Sequence, residues 1–370
     1  MAGTGESPGR GGVAGTIAAV ALLAVAVARP ALASGDRPAA GERPRADQPS
    51  GPNTTKSGVL GHVDLWQQRN RFTSPIVGVM KKFGDDRAGR LAALIAYYGF
   101  FSLFPALLAL VTVLGFVLEN NDSLRSDIAN SALAQFPIVG DSIATSISSP
   151  LGGNTFALVI GLLGAVWAGL GMVQACQDAM NEVWAVERAD YPSFITKRLR
   201  SIAMLGLVAG LLIVSTGVSQ LIAIVAPGIA GATLLFVATV ALNIGMFAVA
   251  YRVLTVADLS WRAVLPGAVF GGVGYTLIQT LGGIYVTRAL DGASATYGTF
   301  AVVIGLLSWI FLIAQVMLIG AEVNTVVQQR LWPRSLFNQP ATSGDRRSHA
   351  QQAKAEKMDD EMVVDVGFRR

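Results

Sequence analysis

The chain has 370 residues, of which 52% are hydrophobic and only 14% are charged, and its formal net charge is +4. An average soluble domain carries about 25% charged residues, so this composition excludes a soluble fold for most of the chain. The charges lie in short segments between long uncharged ones, which predicts an all-α integral membrane protein. Its positive charge then follows from membrane topology and does not indicate a nucleic-acid partner.

Residues 1–60 form a low-complexity extension that contains one short apolar segment, at 13–28. This segment and the sequence Ala31-Leu32-Ala33 resemble a secretory signal and its cleavage site. Three interpretations stay open: a disordered extension or a start codon assigned too far upstream, an additional span that begins outside, and a cleaved signal. Cleavage would invert every later span relative to its flanking charges.

The segment 63–83 alternates large apolar side chains with basic ones, a pattern typical of a helix that lies in the headgroup layer. We therefore expect interfacial amphipathic helices before the first span. The apolar residues of this segment are Leu65, Trp66, Phe72, Ile76, Val79, Met80 and Phe83.

Five uncharged stretches reach the length of about 20 apolar residues that a helix needs to cross a bilayer. The stretch from Ser201 to Tyr251 is long enough for two spans, and Pro227-Gly228 separates them. The sequence therefore predicts a bundle of six transmembrane helices within a membrane domain at 61–332. The predicted spans lie at about 95–118, 155–176, 202–226, 233–251, 264–286 and 299–321.

Lys and Arg concentrate before the first span, in alternate loops and after the last span. The positive-inside rule then places both flanks of the membrane domain in the cytoplasm. The loop at 119–154 becomes the main external segment, either an amphipathic lid on the outer leaflet or a plain connector. The polar tail at 333–370 is expected to be a frayed cytoplasmic helix or disordered.

A short repeat links the second and sixth predicted spans. The segment 155–163 (TFALVIGLL) matches 299–307 (TFAVVIGLL) at eight of nine positions, and both segments open a span of the same direction. Transporters are often built from such repeats. The alternative is coincidence within a composition biased toward Leu, Val and Gly.

Polar side chains within spans are costly and therefore indicate functional sites. We hypothesise that they line a vestibule that opens to the cytoplasm, flanked by the carboxylates of Asp178 and Glu322 and facing a basic loop. In the alternative hypothesis the two carboxylates pair with loop cations or Arg330 at the membrane surface, and each amide bonds between helices at roughly 0.6 kcal/mol. The candidate vestibule residues are Gln174, Asp178, Asn181, Asn243, Gln279, Gln315, Glu322 and Asn324, and the basic loop residues are Lys197, Arg198 and Arg200.

Pro105 lies inside the first predicted span. A proline removes one backbone hydrogen bond, so this position is expected to kink the helix, as a hinge or as a packing device.

The usual motifs of hydrolases are missing from the sequence. No HExxH, GxSxG, P-loop or CxxC pattern occurs, and the two histidines, His62 and His349, lie outside the predicted spans. The single Cys176 cannot form an intramolecular disulfide. We therefore expect no enzyme activity, no catalytic residue, no metal and no cofactor.

Three ordered blocks resemble one known family, the YihY/YhjD/BrkB envelope proteins. They are the first span at Ala92–Leu118, the Asn181-x-x-Trp184 segment with the basic stretch after it, and the last span with Tyr297-Gly298-Thr299-Phe300 and Gly320-Ala321-Glu322-Val323-Asn324. The similarity covers about 63–332, and residues 1–60 depart from it. It implies a multi-pass protein of the bacterial inner membrane that supports envelope integrity, and it implies that the older ribonuclease label of the family is mistaken.

The resemblance and the polar stripe favour a transporter or flippase-like carrier of a lipid-linked or amphiphilic envelope component. The alternative is a membrane scaffold that supports envelope assembly without transport. The expected partners are membrane lipids and a lipid-linked substrate, with oligomerisation left open. A cavity that reaches into the membrane and is lined by Gln174, Asn243, Gln279 or Gln315 would favour the carrier, and a solid bundle would favour the scaffold.

Overall fold

The computed structural model describes residues 59–117, 155–207, 210, 229–297, 299–337, 341–359 and 361–368. Three predictions therefore lie wholly or mostly outside the described residues: the extension with its apolar segment at 13–28, the external loop at 119–154 and the third span at 202–226. The described part of the chain is helical and contains no strand.

Nine α-helices follow one another in the described part, with a 3₁₀ turn at Arg188–Asp190 between the fourth and the fifth. They are α1 (Val59–Arg69), α2 (Thr73–Asp85), α3 (Ala88–Val117), α4 (Thr155–Val183), α5 (194–207), α6 (Ile229–Leu254), α7 (Trp261–Tyr297), α8 (Thr299–Gln329) and α9 (Ser343–Ala355).

Four of these helices are long and apolar enough to cross a membrane, and they coincide with the second, fourth, fifth and sixth predicted spans. The membrane-length segments are Val159–Val183 in α4, Gly231–Leu254 in α6, Trp261–Gly282 in α7 and Val303–Gln329 in α8. Residues 95–117 of the first predicted span lie in α3, which is 30 residues long. The predicted fifth span ended at 286, whereas α7 continues to Tyr297.

The bundle packs through α3 against α4, α6 against α7, and α8 against both α7 and α3. Glycine residues on α7 allow the neighbouring helices to approach it most closely. A Cβ on Gly267 would lie 2.6 Å from Cγ of Asn324, and one on Gly271 would lie 2.7 Å from Cδ1 of Phe247. The buried core includes Tyr251, whose hydroxyl donates to the Met317 carbonyl oxygen at 2.8 Å.

The two flanks of the membrane domain meet at one end of the bundle, the end at which α4 and α8 finish. Arg334, which is 1% exposed, donates from Nη2 to Asp85 at 2.6 Å and from Nε to Asp345 at 2.5 Å. Asp64 accepts the backbone N–H of Leu336 at 3.0 Å. These contacts, which we call the flank clamp, join α1 and α2 to the segment that follows α8.

The tail is more ordered than the sequence suggested. Thr342 caps α9 by accepting from the Asp345 amide, and the Asp345 carboxylate accepts the Thr342 amide in return, which is a capping box. Asp345 is 2% exposed and also holds Arg334. Because Asp345 is capped and paired in this way, Ser343–Ala355 folds as a helix against the flanks and is not frayed.

Candidate functional site

A groove of about 280 Å³ lies between α3, α4 and α5 at the end of the bundle that carries the flank clamp. One wall comes from α3, the floor from α4, and α5 closes the polar end. The groove is lined by Leu94, Tyr98, Trp167, Gly171, Gln174, Ala175, Asp178 and Arg198.

The floor of the groove follows from the helical spacing of α4. Trp167, Gly171, Gln174 and Asp178 are four, three and four residues apart, so they share one face of the helix. Gly171 allows the Tyr98 ring to approach, since a Cβ at this position would lie 3.2 Å from the Tyr98 Cδ1 atom. The groove therefore has apolar and aromatic walls and becomes polar toward Asp178.

The polar end of the groove has more positive than negative charges. Lys197 donates to Oδ1 of Asp178 at 2.6 Å, so these two charges neutralise each other. The Arg198 guanidinium lies over the rings of Trp167, at 5.4 Å, and Phe194, at 5.6 Å. Within the described residues no carboxylate pairs with Arg198, and the groove carries one uncompensated positive charge.

The structure divides the predicted vestibule residues into two groups. Gln174 and Asp178 line the groove, whereas most of the others bond between or along helices. Asn243 donates to the Thr276 hydroxyl at 3.0 Å, Asn181 accepts the Val256 N–H at 2.9 Å, and Asn324 accepts the Gly267 N–H at 2.6 Å.

Two further members of that set do not line the groove. Gln279 donates to the Tyr275 hydroxyl one turn earlier on α7, at 2.9 Å, and Gln315 is half-buried on α8. On α5, the remaining basic loop residue, Arg200, is half-buried and does not line the groove.

Pro105 lies within α3, which runs unbroken from Ala88 to Val117. It packs against α4 at Gly164, where an added Cβ would lie 3.2 Å from Cβ of Pro105. This contact supports the packing interpretation of the proline.

The second carboxylate, Glu322, occupies a different environment from Asp178. It is 0% exposed and lies 3.6 Å from Nζ of Lys82, which is 2% exposed and also pairs with Asp86. Lys82 further donates to the carbonyl oxygen of Val183 at 2.9 Å. We call Lys82, Asp86 and Glu322 the buried charge cluster. Since Glu322 is enclosed there and Asp178 lies in the groove, the two carboxylates do not flank one vestibule as hypothesised.

The alternative hypothesis, in which the carboxylates pair with loop cations or Arg330, agrees with the Asp178–Lys197 pair but missed Lys82 as the partner of Glu322. Burial acts to lower the pKa of Lys82, but attraction from Glu322 and Asp86 outweighs it and raises the pKa above 10.5. The spacing of Lys82 and Asp86, four residues apart, was a detectable signal of an ion pair. Nothing in the sequence indicated that the pair would be carried into the bundle against α8.

No group of three or more His, Cys, Asp or Glu side chains among the described residues could hold a metal ion. The groove contains one carboxylate, which is already paired with Lys197.

Residues 79–344 match the sequence model of a family described as Virulence factor BrkB. The chain belongs to this family. The resemblance recognised from the sequence is thereby confirmed, and the matched range contains the three blocks that carried it. No solved structure gives a significant match.

Three relatives show how the members similar to this chain are named. YfkH of Bacillus subtilis (strain 168), named as ribonuclease-like, is 28% identical over 253 residues, which are 65% of this chain and 90% of YfkH. A UPF0761 membrane protein of Pseudomonas paraeruginosa is 26% identical over 268 residues, 70% of this chain and 64% of the relative. The inner membrane protein YhjD of Escherichia coli is 25% identical over 153 residues, 40% of this chain and 45% of YhjD. The chain thus spans most of YfkH but less than two thirds of the other two.

Proposed function

We propose that this multi-pass membrane protein is a carrier that moves a lipid-linked or amphiphilic envelope component across the bacterial inner membrane. The observation that carries this proposal is the groove between α3, α4 and α5, which has an apolar wall and a polar, basic end. An amphiphile needs an apolar surface for its chain and a polar surface for its headgroup. Gln174, one of the residues expected to line such a cavity, lies in its floor.

The orientation proposed from the charge pattern is six spans with both flanks in the cytoplasm. The meeting of α1, α2 and the segment after α8 at one end of the bundle supports an even number of spans between them. A periplasm-dependent reporter enzyme fused after Arg370 should stay inactive in cells. Activity of that fusion would overturn the orientation, while a cytoplasm-dependent reporter at the same position serves as the expression control.

No enzymatic reaction is proposed for the chain. The ribonuclease-like name belongs to YfkH, and the groove offers a guanidinium, an amide and a carboxylate that is paired with Lys197.

Transport can be tested with the purified protein in liposomes of bacterial polar lipids. Tail-labelled fluorescent phosphatidylglycerol, phosphatidylethanolamine and cardiolipin are the probes, and dithionite bleaching reports their exchange between leaflets. We expect faster exchange of at least one probe with the wild-type protein and loss of this acceleration in Trp167→Ala. Trp261→Ala is the matched control, since Trp261 is a similarly exposed aromatic residue on α7 that lies outside the groove.

The second candidate function is a scaffold, and the observation that favours it is the flank clamp together with the buried charge cluster. These contacts bind the flanks rigidly to α4 and α8 at one end of the bundle. If none of the three probes exchanges faster than in protein-free liposomes, the carrier proposal fails and the scaffold is favoured.

A further inference from the structure

The groove distinguishes between lipid headgroups by its charge. We propose that it binds an anionic lipid, with the Arg198 guanidinium on the headgroup phosphate and the acyl chain along the exposed face of α4. This inference rests on the proposed function only in taking the groove as the binding site. It names a substrate class and the residue that selects it.

Arg198 is the cation of the groove that is free to bind a ligand anion. The ammonium of Lys197 is held by Asp178 at 2.6 Å, whereas Arg198 contacts two rings, and no carboxylate of the described residues pairs with it. Ring contacts engage the face of a guanidinium and leave its in-plane N–H donors available. Those donors form the fork that binds a phosphate at two oxygens.

The same charges disfavour a zwitterionic headgroup. A choline or ethanolamine cation would need an anionic partner, and the charge of the one carboxylate that lines the groove, Asp178, is already balanced by the ammonium of Lys197. Binding a zwitterion would therefore place its cation beside Arg198 without compensation. An anionic headgroup instead cancels the net positive charge of the groove.

The acyl chain has a continuous apolar track on α4. Leu163 and Trp167 are 66% and 74% exposed, and they precede Gln174 on the same face of the helix. With a rise of 1.5 Å per residue, the distance along α4 from Gln174 to Leu163 is about 16 Å. This is close to half of the roughly 30 Å hydrocarbon core, so the track has the length of one leaflet.

The volume of the groove agrees with a headgroup site that is open to the bilayer. About 280 Å³ is near the lower end of the range for small-molecule pockets, which is roughly 300–1,000 Å³. The space accommodates a headgroup and the first carbons of the lipid, and the rest of the chain lies along α4 in the membrane.

Brominated lipids test this proposal, because bromine quenches a tryptophan that it contacts. In a variant that keeps Trp167 and replaces the other five of the six tryptophans with Phe, the protein is placed in phosphatidylcholine nanodiscs. Brominated phosphatidylglycerol or brominated phosphatidylcholine is then added at equal mole fraction. A charge-assisted hydrogen bond predicts a preference of about tenfold for the anionic lipid.

Three matched substitutions test whether Arg198 is the residue that selects the anionic lipid. Arg198→Gln should reduce the preference to about one, and Arg198→Lys should keep part of it, since an ammonium retains the charge without the fork. Arg200→Gln, on the same helix but outside the groove, should keep all of it. Equal quenching by both lipids in the parent variant, or an unchanged preference in Arg198→Gln, would overturn the proposal.

Two further measurements remove ambiguity. Inorganic phosphate added to the nanodiscs should not displace the lipid; if phosphate alone removes the preference, the groove is an anion site and the lipid proposal fails. Native mass spectrometry of wild type and Arg198→Gln, which retain all tryptophans, gives an independent count of co-purified phosphatidylglycerol. Selective binding without exchange in the liposome assay would refute the carrier function and leave this inference standing.

Discussion

Replacing Lys82 with Met is the sharpest test of how the polar end of the bundle is held together. The side chain keeps most of its length and its apolar stem, but the ammonium that faces Asp86 and Glu322 is lost. Lys82 and Glu322 are 2% and 0% exposed, so water cannot replace the lost partner. Breaking a buried ion pair by removing one member costs about 3–5 kcal/mol, and here two carboxylates lose the same cation.

The assay is thermal unfolding of the purified protein in detergent, followed by tryptophan fluorescence. At roughly 2–4 °C per kcal/mol, the midpoint should fall by about 6–20 °C. The double variant Lys82→Met with Glu322→Gln should recover at least about 1 kcal/mol, because it removes one of the two unpaired charges. Equal stability of the single and double variants, or a loss below about 1 kcal/mol for Lys82→Met, would refute the reasoning.

Two other predictions concern packing and pH. Gly267→Ala should destabilise the bundle by more than about 2 kcal/mol, since its Cβ would overlap the Gly320 carbonyl oxygen. Gly245→Ala is the control, because no atom lies near its added Cβ, and it should be neutral or stabilising. The thermal unfolding midpoints of the two variants measure the difference. Burial acts to raise the pKa of Asp64 and of Asp345, but hydrogen bonds lower both below 3.8, so their contribution is present at neutral pH and is lost as pH falls through the folded pKa. Hydrogen exchange of α9, corrected for intrinsic rates, should therefore be faster at about pH 3 than at about pH 6, and equal protection would contradict the flank clamp.

Local properties of the sequence were enough to predict much of the membrane domain. Hydropathy and length located four helices that the structure also finds long and apolar enough to span a membrane. Helical spacing placed Gln174 and Asp178 on one face of α4, and both line the groove. Such predictions succeed because an apolar stretch and a 3.6-residue period are properties of one segment and do not depend on its neighbours.

The same reasoning could not decide which polar residues would meet. Asn243, Asn181 and Asn324 looked like vestibule residues but bond between helices or to the loop that follows α6. Helical period gives the direction of a side chain on its own helix, while its partner depends on the rotation and depth of the helix packed against it. A polar residue in a span is therefore recognisable from sequence, but its role is not.

From its sequence alone, the chain is determined to be a multi-pass helical protein, because so few charges in such long apolar segments leave no other way to solvate the backbone. The tertiary structure decided which charged side chains pair with one another. It brought Lys82 to Glu322, 240 positions further along the chain, and it paired Lys197 with Asp178 while leaving its neighbour Arg198 to face the groove. Charges interact over a few ångströms in space, and only the packing of helices distant in sequence sets those distances.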